Sequence, residues 1–118
     1  MISGQIVDSH TTDVLIPRVR RTTRSHERLL GLLGRDSLTS GEGLLIDPCG
    51  SVHTLFMRFS LDLVYLSREF IVLKLVTDVR PWRFSGRLGA RYTLELQAGE
   101  IARLKLSKGQ ALKWQDID

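Results

Sequence analysis

The sequence lacks most of what a secreted or membrane-bound protein carries. It contains a single cysteine, Cys49, so it cannot form an internal disulfide, which suits a reducing compartment. The segment Met1–Asp13 has no apolar run of the kind found in signal peptides. No apolar run elsewhere approaches the ~20 residues that a membrane span needs. These absences predict a cytoplasmic protein without a membrane segment.

Recognised motifs for cofactors and nucleic acids are also missing. The chain has no glycine-rich phosphate loop of the P-loop or Rossmann pattern and no known nucleic-acid-binding signature. We therefore expect no cofactor and no catalytic machinery. One enzymatic alternative stays open, in which Cys49 is a nucleophile and His53 its base; the turn Pro48-Cys49-Gly50 is its only support.

What the sequence does contain is an ordinary globular composition with unevenly placed arginine. A chain of 118 residues with 42% hydrophobic and 25% charged residues predicts one soluble domain with a real core. Pro17–Arg35 has a local net charge of +5 and Arg80–Arg91 one of +4. Guanidinium groups suit bidentate contact with phosphate or carboxylate. The structural alternative is a solvated basic face with internal ion pairs.

Short β-forming segments separated by turn residues dominate the chain from Val14 onwards. Six or seven such strands predict a mainly β fold, a small single-domain β-sandwich or jelly-roll-like open barrel. One N-terminal helix, with Thr22, Thr23 or Ser25 as cap and Gly34 as stop, is expected to dock on the sheet. In Arg91–Leu96, Tyr92, Leu94 and Leu96 are expected to face the core, with Arg91, Thr93 and Glu95 pointing outward. A short C-terminal helical turn is expected within Ala98–Leu106. Residues 1–13 are predicted to be a flexible N-terminus, and residues 14–118 the β-rich domain.

The central stretch from Gly43 to Val79 holds the residues best suited to a site. We expect Val52–Met57 and Leu61–Leu66 to pair as a hairpin, which makes Thr54 a diagonal neighbour of Asp62. Leu61–Leu66 is apolar on both faces apart from Asp62, which is typical of an internal strand. His53, Thr54 and Asp62 then form a polar cluster in apolar surroundings. It either ties the strands together or lines a ligand pocket.

Two further constellations complete the candidate sites. Cys49 and His53 are a possible soft-metal pair; the spacing Cys-x3-His-x3-Met also includes Met57, but an extended strand separates these residues too far for a three-ligand site. The second constellation would bind a polyanion or nucleic acid, with arginines contacting phosphates and an indole stacking a base. Its members are Arg24, Arg28, Arg80, Arg83, Arg87, Arg91 and Trp82.

Several short motifs follow one another in a characteristic order along the chain. They are Arg28-Leu29-Leu30-Gly31-Leu32-Leu33-Gly34-Arg35, Gly43-Leu44-Leu45, His53-Thr54 with Phe56-Met57, Leu61-Asp62-Leu63-Val64-Tyr65-Leu66, Pro81-Trp82-Arg83 and Leu94-Glu95-Leu96-Gln97-Ala98-Gly99. Their order resembles that of the family called domain of unknown function 192. The resemblance runs from about Arg28 to Trp114. It implies a compact β-rich fold like a sandwich or jelly roll, and it implies no activity.

The function predicted from these observations is a non-catalytic cytoplasmic binding module for an unknown partner protein or small ligand. The site residues of this hypothesis are His53, Thr54 and Asp62. Polyanion binding through the arginine clusters and soft-metal binding at Cys49 and His53 are the alternatives.

Overall fold

The computed structural model describes residues 1–23, 38–54 and 58–117. Those residues form nine strands and one short helix. They are β1 (Ile2–Asp8), β2 (Val14–Arg21), β3 (Glu42–Ile46), β4 (Ser51–His53), β5 (Leu61–Leu66), β6 (Val72–Val79), β7 (Phe84–Gly86), β8 (Tyr92–Gln97), α1 (Glu100–Leu104) and β9 (Leu112–Asp116). The helix lies inside Ala98–Leu106, where a helical turn was expected. The expected N-terminal helix falls largely on residues outside the described ranges.

Seven strands form one sheet in the order β6-β5-β8-β3-β2-β1-β9, curled into an open half-barrel. Its edge strands meet at one end, where the Val72 amide donates to the Gln110 carbonyl at 2.9 Å and the Leu112 amide to the Phe70 carbonyl at 3.0 Å. Strands β4 and β7 pair separately as a two-stranded ribbon. The prediction of a mainly β single domain is confirmed. The described strands make one large sheet and a small ribbon, whereas a sandwich needs two sheets of comparable size facing each other.

The sheet buries side chains on both of its faces, because successive residues of a strand point to opposite sides. The first core contains side chains from the whole sheet, among them Ile6, Leu45, Val64 and Leu94, together with Ile101 of α1. The second core lies on the other face of the strands around β5. Its buried members are Leu38, Leu44, Ile46, Leu61, Leu63, Tyr65 and Val79.

Strand β5 is the most deeply buried strand of the sheet. All six of its residues are buried, and β6 and β8 pair with its two edges. The prediction that Leu61–Leu66 is an internal strand covered on both faces is confirmed. The predicted hairpin is wrong, because the two edges of β5 are already occupied and β4 pairs with β7 instead.

The N-terminal residues differ from the expected flexible segment. Residues 2–8 form β1, which pairs with β2 on one side and with β9 on the other. Ile6 and Val7 are adjacent in sequence and both buried, because an irregularity in the β1–β2 register between them interrupts the alternation of side chains. Strand β2 is likewise internal, and Pro17 is accommodated at an irregularity in the β1–β2 register and not at a sheet edge.

Candidate functional site

A cleft of about 460 Å³ lies between the edge strand β6 and the segment that leads into β7. We call it the basic cleft. Its size falls within the range of small-ligand sites. The residues that line it are Lys74, Val76, Thr77, Asp78, Val79, Arg80, Arg83, Phe84 and Ser85.

Positive charge predominates in the basic cleft. Lys74, Arg80 and Arg83 contribute three cations and Asp78 one carboxylate. Among the ion pairs between described residues, none involves Arg80 or Arg83. The Lys74 ammonium donates to the Gly86 carbonyl at 2.9 Å and lies 5.8 Å from the ring centre of Tyr65. The cleft therefore offers guanidinium groups that are available to an anion.

An aromatic surface borders these cations. The Phe84 side chain is 75% exposed, and the neighbouring Trp82 is 55% exposed. His53 lies opposite Phe84 in the ribbon, with the two ring centres 6.3 Å apart and the planes inclined at 55°. His53, predicted as a site residue, is thus exposed at the rim of the cleft.

Thr54 stabilises one wall of the basic cleft, residues 80–83, by hydrogen bonds to their backbone. Its side chain is buried, and its hydroxyl donates to the Arg80 carbonyl at 2.6 Å and accepts from the Arg83 amide at 2.8 Å. The backbone of Thr54 adds two bonds, from its amide to the Arg83 carbonyl and from the Trp82 amide to its carbonyl, both at 2.9 Å. This clamp fixes residues 80–83, including Trp82 at φ +66°.

Asp62 holds the other wall. It is fully buried, and its carboxylate accepts from the amides of Asp78 at 2.9 Å and of Gly99 and Ile101 at 3.0 Å. The first bond pins a bulge in β6, where Asp78 has φ +53°. The other two satisfy free amides at the start of α1. Thr54 and Asp62 share no hydrogen bond with each other, so the predicted polar cluster consists of two separate supports of the cleft.

The predicted arginine sites divide into four groups. Arg80 and Arg83 line the basic cleft. Arg87 lies at a neighbouring depression of about 490 Å³ with Leu88, whose side chain is 91% exposed. Arg91 donates to the Asp47 carboxylate at 3.2 Å and so takes part in an internal ion pair. Arg24 and Arg28 lie outside the described residues.

The predicted soft-metal pair lies near the ribbon. The Cys49 thiol is half-buried and donates to the Ser51 carbonyl at 2.8 Å, while His53 is exposed two residues further along β4. Within the described ranges, no three His, Cys, Asp or Glu side chains come together as a metal site would require. Met57 lies outside those ranges. The pairing of Cys49 with His53 stays a prediction.

One buried carboxyl was missed by sequence reasoning. Glu95 in β8 lies opposite Leu44 and Leu63, and in the described part of the chain its Oε2 has no hydrogen-bond partner. Burial raises the pKa of this carboxyl from 4.5 to about 8. Alternation along Arg91–Leu96 had suggested that Glu95 points outward. The prediction was wrong because the second core covers that face too.

Lys74 was likewise not predicted as a cleft residue. Its position depends on how the ribbon lies against β6, where the Lys74 ammonium donates to the Gly86 carbonyl, and no local pattern predicts that contact.

None of the helices formed by the described residues has the length and apolar character of a membrane span.

Comparison with known sequences places the chain among uncharacterised proteins. The profile of the domain of unknown function 192 family, described as "Uncharacterized ACR", matches residues 6–114. A UPF0127 protein of Pyrococcus furiosus is 38% identical over 65 residues, which are 54% of this chain and 55% of that protein. A UPF0127 protein of Thermococcus sibiricus is 38% identical over 68 residues, 55% of this chain and 42% of the relative. The matched region spans about half the length of these relatives.

Two solved structures share the fold. A Sinorhizobium meliloti protein, described as a proposed transcription regulator, superposes with a TM-score of 0.80 at 20% identity, over 96% of this chain and 92% of the other. A Novosphingobium aromaticivorans protein of unknown function gives a TM-score of 0.76 at 21% identity, over 95% and 84%. At this level of identity the likeness extends to the fold alone.

Proposed function

This chain belongs to the domain of unknown function 192 family, and from that premise we propose that it is a non-catalytic binding module for an anionic ligand. The ligand occupies the basic cleft, as a small molecule or as the anionic group of a larger partner. His53 lies at the rim of this site, whereas Thr54 and Asp62 act by holding its walls.

The observation that carries the proposal is the pair of guanidinium groups in the cleft: neither makes an ion pair with a described residue, and Arg83 donates to the Trp82 carbonyl at 3.3 Å. Arg80 and Arg83 face the same space as Lys74, opposed by a single carboxylate, Asp78. Both arginines belong to a segment whose backbone is fixed by four hydrogen bonds to Thr54. Their positions along the cleft are therefore set before a ligand binds. A preordered site loses less conformational entropy when an anion binds.

A longer polyanion is a second candidate, favoured by the position of Arg87. This residue lies at the depression next to the ribbon, beyond Gly86 and on the far side of β7 from Arg83. A ligand with several phosphates could extend from Arg80 and Arg83 towards Arg87.

Cytoplasmic location also remains part of the proposal, since the lone cysteine suits a reducing compartment.

The test is calorimetric titration with inorganic polyphosphate at several salt concentrations. We expect binding at low salt that weakens steeply as salt is added, because counterions are released on binding. In the double variant Arg80→Gln/Arg83→Gln the affinity falls at least about tenfold. The slope of log affinity against log salt becomes shallower by about 1 to 2.

The matched control is Arg20→Gln/Arg68→Gln. Both of these arginines are exposed and lie outside the cleft lining, so the control removes the same charge elsewhere. It should keep most of the affinity. Absence of polyphosphate binding at low salt, or an equal loss in both double variants, would overturn the proposal.

A further inference from the structure

We infer that the ligand of the basic cleft is a single-stranded nucleic acid, with a base stacked on the Phe84 ring and flanking phosphates on Arg80 and Arg83. The inference rests on the proposed function and names its ligand class. Proteins that bind single strands combine a positively charged groove with aromatic side chains that stack bases. The basic cleft has both parts side by side.

Phe84 supplies a stacking surface that the fold itself does not use. A phenyl ring that is 75% exposed loses the stabilisation that burial would provide. Its only described ring contact is the tilted one with His53, at 6.3 Å between centres. A planar base on Phe84 would cover apolar surface and remain within reach of His53 at the rim.

The cations lie where the phosphates of such a strand would run. Arg83 directly precedes Phe84, and Arg80 and Lys74 line the same cleft. The Thr54 clamp fixes the backbone on which Arg80, Trp82 and Arg83 stand. Trp82, 55% exposed and two residues from Phe84, offers a second aromatic surface for the next base.

Addition of a peptide strand to the edge of β6 is the competing use of this surface, and the edge is poorly suited to it. At one end, Val72 already exchanges bonds with Gln110 and Gly109. At the other, the bulge at Asp78 interrupts the strand, and its amide is bound to Asp62. Only Leu73–Val76 remain, and a bulge of this kind is a known protection against edge pairing. The side chains of the cleft therefore determine its ligand.

The test compares fluorescently labelled chains of about twelve units with equal backbone charge: oligothymidylate, oligouridylate and an abasic deoxyribose phosphate chain. We expect one or both base-bearing chains to bind the protein more tightly than the abasic chain. Phe84→Leu should weaken binding of the preferred base-bearing chain roughly five- to hundredfold and leave the abasic chain unaffected. Because Phe84 is exposed, this variant should fold normally, which circular dichroism checks.

Val14→Ala is the matched control, since Val14 is an exposed apolar residue outside the lining of both the cleft and the depression at Arg87. It should leave oligonucleotide binding unchanged. Equal binding of base-bearing and abasic chains, or no effect of Phe84→Leu, overturns the inference, while persistent polyphosphate binding would leave the anion-binding function standing. Tighter binding to phosphatidylglycerol vesicles than to any oligonucleotide, abolished by Leu88→Ala, also overturns it in favour of a membrane surface.

Discussion

Two buried carboxyl groups on adjacent strands have opposite surroundings. Asp62 in β5 and Glu95 in β8 are 0% and 4% exposed, and they lie on opposite faces of the sheet. Asp62 accepts three backbone hydrogen bonds. Glu95 has an oxygen without a partner in the described residues, and burial raises its pKa to about 8.

The difference shows that irregular backbone is what makes a buried carboxylate tolerable. A bulge in β6 and the first turn of α1 leave amides that no strand partner uses, and Asp62 reaches both. Glu95 lies where β3, β8 and β5 pair in regular register, so the surrounding amides are already bound. Its carboxyl is consequently most stable with its proton.

The largest effect is expected when the donors of Asp62 lose their acceptor. Asp62→Ala removes the acceptor of the buried Ile101 amide and of the partly buried Asp78 and Gly99 amides; a buried amide left without a partner costs about 1–3 kcal/mol. We expect the free energy of unfolding to fall by about 5 kcal/mol, as measured by urea denaturation. The control Asp13→Ala changes an exposed carboxylate and should stay within about 0.5 kcal/mol of the parent protein. A similar small change for Asp62→Ala would contradict the role given to these bonds.

A pH-dependent effect is expected at Glu95. Below pH 4.5 both folded and unfolded states hold the proton; between 4.5 and about 8 only the folded state keeps it. The free energy of unfolding therefore falls by about 1.4 kcal/mol per pH unit as the pH rises through this window, and levels off above it. Glu95→Gln cannot titrate and should lose this decline. Urea denaturation of the parent protein and of Glu95→Gln across this pH window measures the difference. Parallel curves of unfolding free energy against pH would contradict the protonated state of Glu95 in the folded protein.

A smaller effect is expected at Thr54, because its side chain accepts from one backbone amide, that of Arg83, whereas Asp62 accepts from three. Thr54→Val keeps the shape and removes the hydroxyl that joins Arg80 to Arg83. We expect a loss of about 2 kcal/mol in the free energy of unfolding and weaker polyphosphate binding, since the cleft wall is no longer fixed. Thr54→Ser retains the hydroxyl and serves as the control. If valine and serine gave the same affinity, the clamp would have no part in binding.

Local pattern predicted the buried elements well and their pairing poorly. The unbroken apolar run of Leu61–Leu66 indicated an internal strand, and the alternation of Tyr92, Leu94 and Leu96 indicated a core face. Both patterns indicate burial, and the burial of a strand can be predicted from the residues of that strand alone. The partner of a strand depends on distant segments, so the closeness of Val52–Met57 to Leu61–Leu66 in sequence suggested a hairpin that does not form.

The candidate site was predicted by residue type more than by geometry. Arg80, Arg83 and Trp82 were predicted from the arginine charge and aromatic character of one loop, and His53 from a polar cluster in a hairpin that does not form. Thr54 and Asp62 were predicted as a polar cluster in apolar surroundings; both are buried, and their partners are backbone groups of residues 78–83 and 99–101. Backbone donors left over by a bulge or a helix start cannot be recognised from side-chain spacing.

The pairing of β1 with β9 has a kinetic consequence. Gly4 lies beside Asp116, so two strands from distant parts of the chain must meet before the sheet is complete. During synthesis, β1 cannot acquire this neighbour until residue 116 has left the ribosome. Pairings with such long sequence separation place a domain among the slower folders, on the order of milliseconds to seconds. Until then the outer edge of β1 is open to strands of other chains, which makes the nascent protein most vulnerable to aggregation in that interval.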